Sequence, residues 1–285
     1  MKSDYFGLDD FLLSALKEDI GTGDVTTISC VPENAVSNGI FRAKEAGVIC
    51  GLDVLKRVFA LLDENIRITL HISDGDPVTP DSRIADISGP SRSILTGERT
   101  ALNILQHMSG IATRTAEAVG AIKGTNAVIL DTRKTTPGLR VLEKYAVRCG
   151  GGSNHRFNLS DGVLIKDNHI AAAGSITNAI RFARNNCPLT LKIEVETETI
   201  EQVEEALTAG ADIIMLDNMT VETMKKAIEI TAGRAITEAS GNMGERDLRA
   251  VAETGVDYIS IGALTHSVKA LDISLKFMSK MAIDI

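Results

Sequence analysis

The stretch LKIEVETETIEQVEEALTAGADIIMLD, residues 191–217, decides the architecture of the chain. Residues 191–196 and 212–217 are short runs rich in apolar and β-branched side chains, the texture of strands covered on both faces. Between them residues 200–208 read as a helix, and Gly210 ends it because glycine takes the left-handed backbone at a helix terminus without steric cost. Strand, helix and returning strand make one βα unit, which places the two strands parallel in one sheet.

The same texture repeats on either side. Further β-rich runs lie at residues 127–131, 162–166, 235–240 and 258–262, and residues 244–254 are predicted as a helix stopped by Gly255. The last residues of the later strands, Glu196, Asp217, Ser240 and Gly262, are spaced 21, 23 and 22 apart, about one strand plus one helix per step. This predicts a barrel-like parallel α/β array of six strands, short of the eight of a full barrel.

Upstream the pattern differs. Leu8, Phe11, Leu12, Ala15 and Leu16 form the buried stripe of an amphipathic helix that stops at Gly21-Thr22-Gly23. A second helix follows Gly51, with Leu52, Leu55, Phe59 and Leu62 on one side. Ile66, Ile68, Leu70 and Ile72 alternate with polar residues as in a half-buried strand, closed by the turn Ser73-Asp74-Gly75-Asp76-Pro77. With strand-like runs at 40–50 and 84–87, the first 90 or so residues read as an α+β domain. A helix over residues 93–123, weakened at Gly110, comes next; its polar stripe of Arg99, Asn103 and Gln106 reads as a solvated face on pattern alone.

With 285 residues and 44% apolar composition, the chain supports two domains. The net charge is -8, yet residues 131–169 hold seven Lys/Arg against four Asp/Glu. An acidic protein that gathers cations in one glycine-rich stretch is suited to a compact anion; a nucleic acid calls for a broad basic surface. Cys30, Cys50, Cys149 and Cys187 are scattered without the short spacings of a zinc or redox motif, so they read as reduced structural thiols. The start MKSDYFGLDD has neither a basic region nor an apolar run, and no run approaches a membrane span. A cytoplasmic protein is the expectation, with neither nucleic acid nor membrane as partner.

In a βα barrel the active site forms at the C-terminal ends of the strands. Those ends carry Asp131-Thr132-Arg133-Lys134, Lys166-Asp167-Asn168-His169, Glu194 and Glu196, Asp217-Asn218, Ser240-Gly241-Asn242 and Gly262-Ala263. Arg133, Lys134, His155, Arg156 and Lys166 are donors for carboxylates and phosphates. Glu196 and Asp217 suit Mg²⁺ shared with substrate oxygens, or sugar hydroxyls. The turns at Ser240-Gly241-Asn242 and Gly262 free backbone N–H groups for a phosphate. Arg140, Lys144 and Arg148, at i, i+4, i+8, read as the wet face of a helix after Pro137. No nucleophile elbow and no Cys/His pair is evident, and His155 reads as a hydrogen-bond donor. Electrostatic stabilisation of shifting charge would then supply most of the catalysis.

These motifs resemble those of the nicotinate-nucleotide pyrophosphorylase (carboxylating), or quinolinate phosphoribosyltransferase, family. The segments that carry the likeness are ALKEDIGTGDVTT, ILTGERTALNILQHMSGIAT, residues 131–169, IEVE, DIIMLDN, EASGN and YISIGALTH. A glycine is expected where Pro80-Asp81 stands. The resemblance implies an N-terminal α/β sandwich, residues 1–110 joined by 270–285, and an incomplete α/β barrel over 111–269. It implies a homodimer in which Arg99 reaches the neighbouring active site, with assembly beyond the dimer left open. Arg133, His155, Arg156 and Lys166 would bind quinolinate, and Lys134 the phosphoribosyl diphosphate. Glu196 and Asp217 would serve the ribose and Mg²⁺, largely through substrate and water, and Ser240, Gly241, Asn242 and Gly262 the 5'-phosphate. Lys134, Glu196 and Asp217 are the implied catalytic residues, and Mg²⁺ the implied cofactor. The competing readings are a nicotinate phosphoribosyltransferase without decarboxylation, a Schiff-base aldolase using Lys166, and a non-catalytic phosphate binder.

Overall fold

The computed structural model describes residues 7–278. In chain order its first elements are α1 (Leu8–Ile20), α2 (Val25–Cys30), β1 (Val36–Ala43), β2 (Gly47–Val48), α3 (Leu52–Leu62), β3 (Arg67–Leu70), β4 (Pro77–Val78), β5 (Arg83–Pro90) and α4 (Ser91–Ala121). There follow β6 (Val128–Leu130), α5 (Arg140–Cys149), β7 (Val163–Ile165), α6 (Asp167–Ala173), α7 (Ile176–Asn186), β8 (Ile193–Thr197) and α8 (Ile200–Thr208). The last are β9 (Ile213–Asp217), α9 (Val221–Thr231), β10 (Ile236–Ser240), α10 (Leu248–Ala252), β11 (Tyr258–Ser260), α11 (Ala263–His266) and β12 (Ile273–Phe277). None of the described helices is long and apolar enough to cross a membrane.

The chain divides into two compact units. One takes the chain up to Arg114, Val141–Gly150 and the chain from Val268 onward; the other takes Thr115–Arg140 and Gly151–Ser267. Residues 279–285 of the segment 270–285, which the resemblance joins to the first domain, lie outside the described residues, as do residues 1–6.

In the first unit an antiparallel sheet runs β12-β1-β5-β3. Phe41 on β1 is fully buried and meets Phe59 of α3 edge-on, with ring centroids 6.2 Å apart. Leu12 and Leu16 of α1 and Val54, Leu55 and Val58 of α3 complete this core. Burial of each such side chain stabilises the fold by about 1.5–3 kcal/mol. Gly110 does not weaken α4, which is continuous through it. A Cβ there would stand 2.2 Å from the Lys269 carbonyl, so the glycine allows a close backbone approach. Gln106, expected on a wet face, instead donates from Nε2 to the Ile273 carbonyl at 2.8 Å and holds β12 in place. At the site where a glycine is expected, Asp81 itself adopts φ 67. Aspartate tolerates this left-handed backbone better than most residues.

The second unit holds the parallel sheet β6-β11-β10-β9-β8-β7. First and last strands pair, as they do when a sheet curls into a barrel, and the open seam falls between β6 and β7. Residues 151–155 lie along that seam: Ser153 N donates to Ile129 O at 2.8 Å and Asp131 N to Ser153 O at 3.2 Å. The middle three residues of β9 and of β10 are buried, as expected of covered strands.

Two further local expectations fail. The helix predicted over 244–254 is only α10, because Asp247 caps it by accepting from the backbone N–H of Arg249 and Ala250 at 3.0 and 3.2 Å. The wet face predicted for α5 holds for exposed Arg148 alone. Lys144 is 3% exposed and Glu143 fully buried, so these two are enclosed among partners and not solvated.

Candidate active site

Asp131, at the end of β6, is fully buried and organises the loop entering the seam. Its carboxylate accepts from Asn154 Nδ2 at 2.5 Å and from the His155 backbone N–H at 2.9 Å. Arg140 joins the same loops by donating to the carbonyls of Arg133 at 3.4 Å and Phe157 at 3.1 Å. His155 and Arg156 are thereby held beside Arg133 although neither belongs to a strand.

A cavity of about 490 Å³ opens at the C-terminal ends of the strands. Arg133, Lys134, His155, Arg156, Lys166, Glu196, Asp217, Ser240, Gly241 and Asn242 all line it. Gly262 stands at its edge, where an added Cβ would meet Lys134 Cδ at 3.0 Å. Arg99 belongs to the other unit, exposed on α4, and lines neither this cavity nor the one described next.

The cationic wall is short of acceptors. Arg133 Nε is buried without a hydrogen-bond partner. Burial, followed by the charge of Arg133, pushes the Arg156 guanidinium below its usual range. Two neighbouring guanidiniums with an orphaned donor form a seat for an anion, since a buried donor left unpaired costs about 1–3 kcal/mol. Across from them Lys166 and Glu196 form an ion pair. The pair engages Lys166 Nζ, the atom a Schiff base would use.

Glu238 was not singled out from sequence. It is 2% exposed on β10, and its Oε2 stands 3.4 Å from His155 Nε2, with Glu194 Oε2 at 3.1 Å. The signal was available: an acid within a strand otherwise free of charge. Burial disfavours a charged imidazole, but hydrogen bonds to Glu194 and Glu238 outweigh it and raise the His155 pKa to about 10. The Arg156 backbone N–H, donating to Nδ1 at 2.8 Å, works against a proton on that nitrogen. The carboxylates favour a proton on Nε2, while the amide N–H favours a lone pair on Nδ1. Burial likewise raises the Glu194 carboxyl, with the hydrogen bond from His155 opposing and the charge of Glu238 reinforcing the rise. Glu194 faces a second cavity, of about 420 Å³, whose lining shares His155, Arg156 and Glu238 with the first.

The three ligand atoms of His155, Glu194 and Glu238 lie within 4.8 Å of one another. With its Nε2 facing both carboxylates, that cluster shares a proton where a metal would need a lone pair. Glu196 and Asp217 offer oxygen donors of the kind Mg²⁺ takes, although Asp217 Oδ2 already accepts from Asn218 Nδ2 at 2.8 Å. A Mg²⁺ held there would need further oxygens from substrate and water.

Beyond β9 and β10 the backbone turns sharply. Asn218, Gly241 and Asn242 have φ 54, 92 and 52. A Cβ on Gly241 would fall 2.2 Å from Asn218 Oδ1, so only glycine lets these two strand ends meet.

The chain matches the family description "Quinolinate phosphoribosyl transferase, N-terminal domain" over residues 24–109 and its C-terminal counterpart over 111–276. It is 52% identical over 258 residues to a probable nicotinate-nucleotide pyrophosphorylase (carboxylating) of Bacillus subtilis, covering 90% of this chain and 89% of that one. The crystal structure of nicotinate-nucleotide pyrophosphorylase from Ehrlichia chaffeensis superposes with TM-score 0.92 at 43% identity, covering 98% of this chain and all of that one. NadC from Streptococcus pyogenes superposes with TM-score 0.90 at 45% identity over 98% of this chain and 100% of its own. With both domain descriptions matched in order and relatives this similar over nearly the full length, the chain belongs to the quinolinate phosphoribosyltransferase family.

Proposed function

We infer that this protein is a decarboxylating quinolinate phosphoribosyltransferase: it joins quinolinate to 5-phosphoribosyl 1-diphosphate and releases nicotinate mononucleotide, CO₂ and diphosphate in NAD biosynthesis. Among structural observations, the one that carries the reading is the anion seat of Arg133 and Arg156, with Lys166 and His155 in the same cavity. Three cations and an imidazole donor suit a pyridine with two carboxylates better than a monocarboxylate.

In this reading Arg133, His155, Arg156 and Lys166 hold the dicarboxylate and set the ring nitrogen towards the ribose. Lys134 meets the diphosphate. Glu196 and Asp217 accept from the ribose hydroxyls and offer oxygens to Mg²⁺, which when bound neutralises charge on the departing diphosphate. The turns at Ser240-Gly241-Asn242 and Gly262 receive the 5'-phosphate through backbone N–H groups. As diphosphate leaves, the pyridine nitrogen bonds to the anomeric carbon and becomes cationic. The adjacent C–CO₂⁻ bond then breaks, and its electron pair stays on the ring carbon beside that cationic nitrogen until a proton replaces CO₂. No side-chain base is needed for that step. A cytoplasmic homodimer accompanies the reading, with exposed Arg99 reaching a second copy's cavity.

The direct test is CO₂ release from carboxyl-labelled quinolinate, with and without phosphoribosyl diphosphate and Mg²⁺. Release that needs both, matched by nicotinate mononucleotide, is the expected result. Folded protein that forms a mononucleotide from nicotinate and none from quinolinate would overturn the assignment.

A further inference from the structure

Sequence spacing separates the four cysteines, but folding brings two of them together. Cys50 follows β2 directly before α3, and Cys149 is the last residue of α5. Their sulfurs and a carboxylate oxygen of Asp74 all lie within 4.8 Å of one another, inside the first compact unit. Both thiols are free.

The surroundings of the pair are built. Ser109 on α4 fixes the Cys50 backbone twice, accepting from its N–H at 3.0 Å and donating to its carbonyl at 3.3 Å. Asp74 Oδ1 caps α3 by accepting from the N–H groups of Gly51 and Leu52 at 2.9 and 3.0 Å. Its other oxygen accepts from the Tyr145 hydroxyl at 2.8 Å. With both carboxylate oxygens committed and no histidine in the group, the cluster is poorly suited to a metal. Two thiols side by side remain.

The thiols are unlike. Cys50 is fully buried, and burial, reinforced by Cys149 and Asp74, pushes its pKa up. Cys149 is partly accessible. A hydrogen bond from Cys50 lowers its pKa against the opposing effect of burial, and Tyr145 lowers it further. Gly150-Gly151-Gly152 follows it and lets the end of α5 adjust as the sulfurs close to a bonded distance of about 2 Å.

We propose that Cys149 and Cys50 are a peroxide-sensitive pair that forms a reversible disulfide, Cys149 being oxidised first and Cys50 resolving it. The Cys149 thiolate attacks one peroxide oxygen, breaking the O–O bond and forming a sulfenic acid as hydroxide leaves. The Cys50 sulfur then attacks the Cys149 sulfur, displacing the hydroxyl, which departs as water with the Cys50 proton. In sum two thiols lose two electrons, and one peroxide becomes two waters. A dithiol reductant reverses the bridge. This site is separate from the proposed catalytic cavity and does not depend on which reaction that cavity performs.

The experiment is exposure of the full chain to a modest excess of hydrogen peroxide, alkylation of the remaining thiols, and peptide mapping by mass spectrometry. The expected product is a Cys50–Cys149 linked pair of peptides, about 2 Da lighter than the two reduced peptides and lost on dithiothreitol treatment. It should form ahead of any oxidation of exposed Cys30. In Cys50→Ala the sulfenic acid should persist on Cys149, trapped by dimedone. Sulfinic acid on Cys149 of the unaltered chain without a linked peptide would overturn the proposal. So would prior oxidation of Cys30, or a stoichiometric metal bound by the pair in the purified protein. The unaltered chain decides the matter even if the variant fails to fold.

Discussion

Glu238 Oε2 stands 3.4 Å from Nε2 of His155, so an acid buried in β10 faces an imidazole on the loop that runs along the barrel seam. Glu194 shares that imidazole, and together the acids raise its pKa.

The pH dependence follows from this pair. His155 has a folded pKa of about 10, above its usual 6.5, so its contribution to stability is complete below pH 6.5 and disappears as pH rises through about 10. Arg133, Arg156 and Lys166 line the cavity with it, and Asp131 accepts from its backbone N–H. Quinolinate affinity should hold across neutral pH and fall on the alkaline side as the imidazole loses its proton. Glu238→Gln removes one stabilising charge, and should move that fall down by about one pH unit or more. Quinolinate KM against pH, with the ring nitrogens followed by NMR, checks both; superimposable profiles for the two proteins would refute the coupling.

Arg133→Ala and Lys166→Ala each remove a cation from the anion seat. Truncating one member of a buried charged contact costs about 2–5 kcal/mol, roughly 30- to several-thousand-fold in affinity or turnover. Quinolinate kcat/KM should drop by that range while circular dichroism stays unchanged. Values near those of the unaltered protein in both variants would take the two residues out of the site.

Gly241→Ala is predicted to damage the proposed phosphate end. The new Cβ would overlap Asn218 Oδ1 at 2.2 Å, on a backbone with φ 92. Overpacking of this kind costs about 1–3 kcal/mol. A lowered Tm with a raised KM for phosphoribosyl diphosphate, and a smaller change for quinolinate, is the expected signature. An alanine protein as stable and as active as the parent would show that the turn yields.

Arg99→Ala tests the shared site. An inactive Arg99→Ala protein mixed with an inactive Lys166→Ala protein should regain activity, because a heterodimer restores one intact cavity. Subunit exchange is followed by native mass spectrometry of two differently labelled copies. Exchange without recovered turnover would count against a contribution from the neighbouring copy.

Much of this molecule was legible before folding was considered. The 21-, 23- and 22-residue spacing of Glu196, Asp217, Ser240 and Gly262 marks parallel βα units, because strand and helix lengths are local properties of the chain. Of these strand-end residues, Glu196, Asp217 and Ser240 line one cavity and Gly262 stands at its edge, since parallel strands all present the same end. Tertiary structure alone decided the rest. Glu238 reaches His155, Lys144 is buried on α5, Gln106 holds β12, and Cys50 lies beside Cys149 only because distant segments pack together. Periodicity reports which face of an element avoids water, but the distant partner that satisfies a polar side chain is not written in the local pattern.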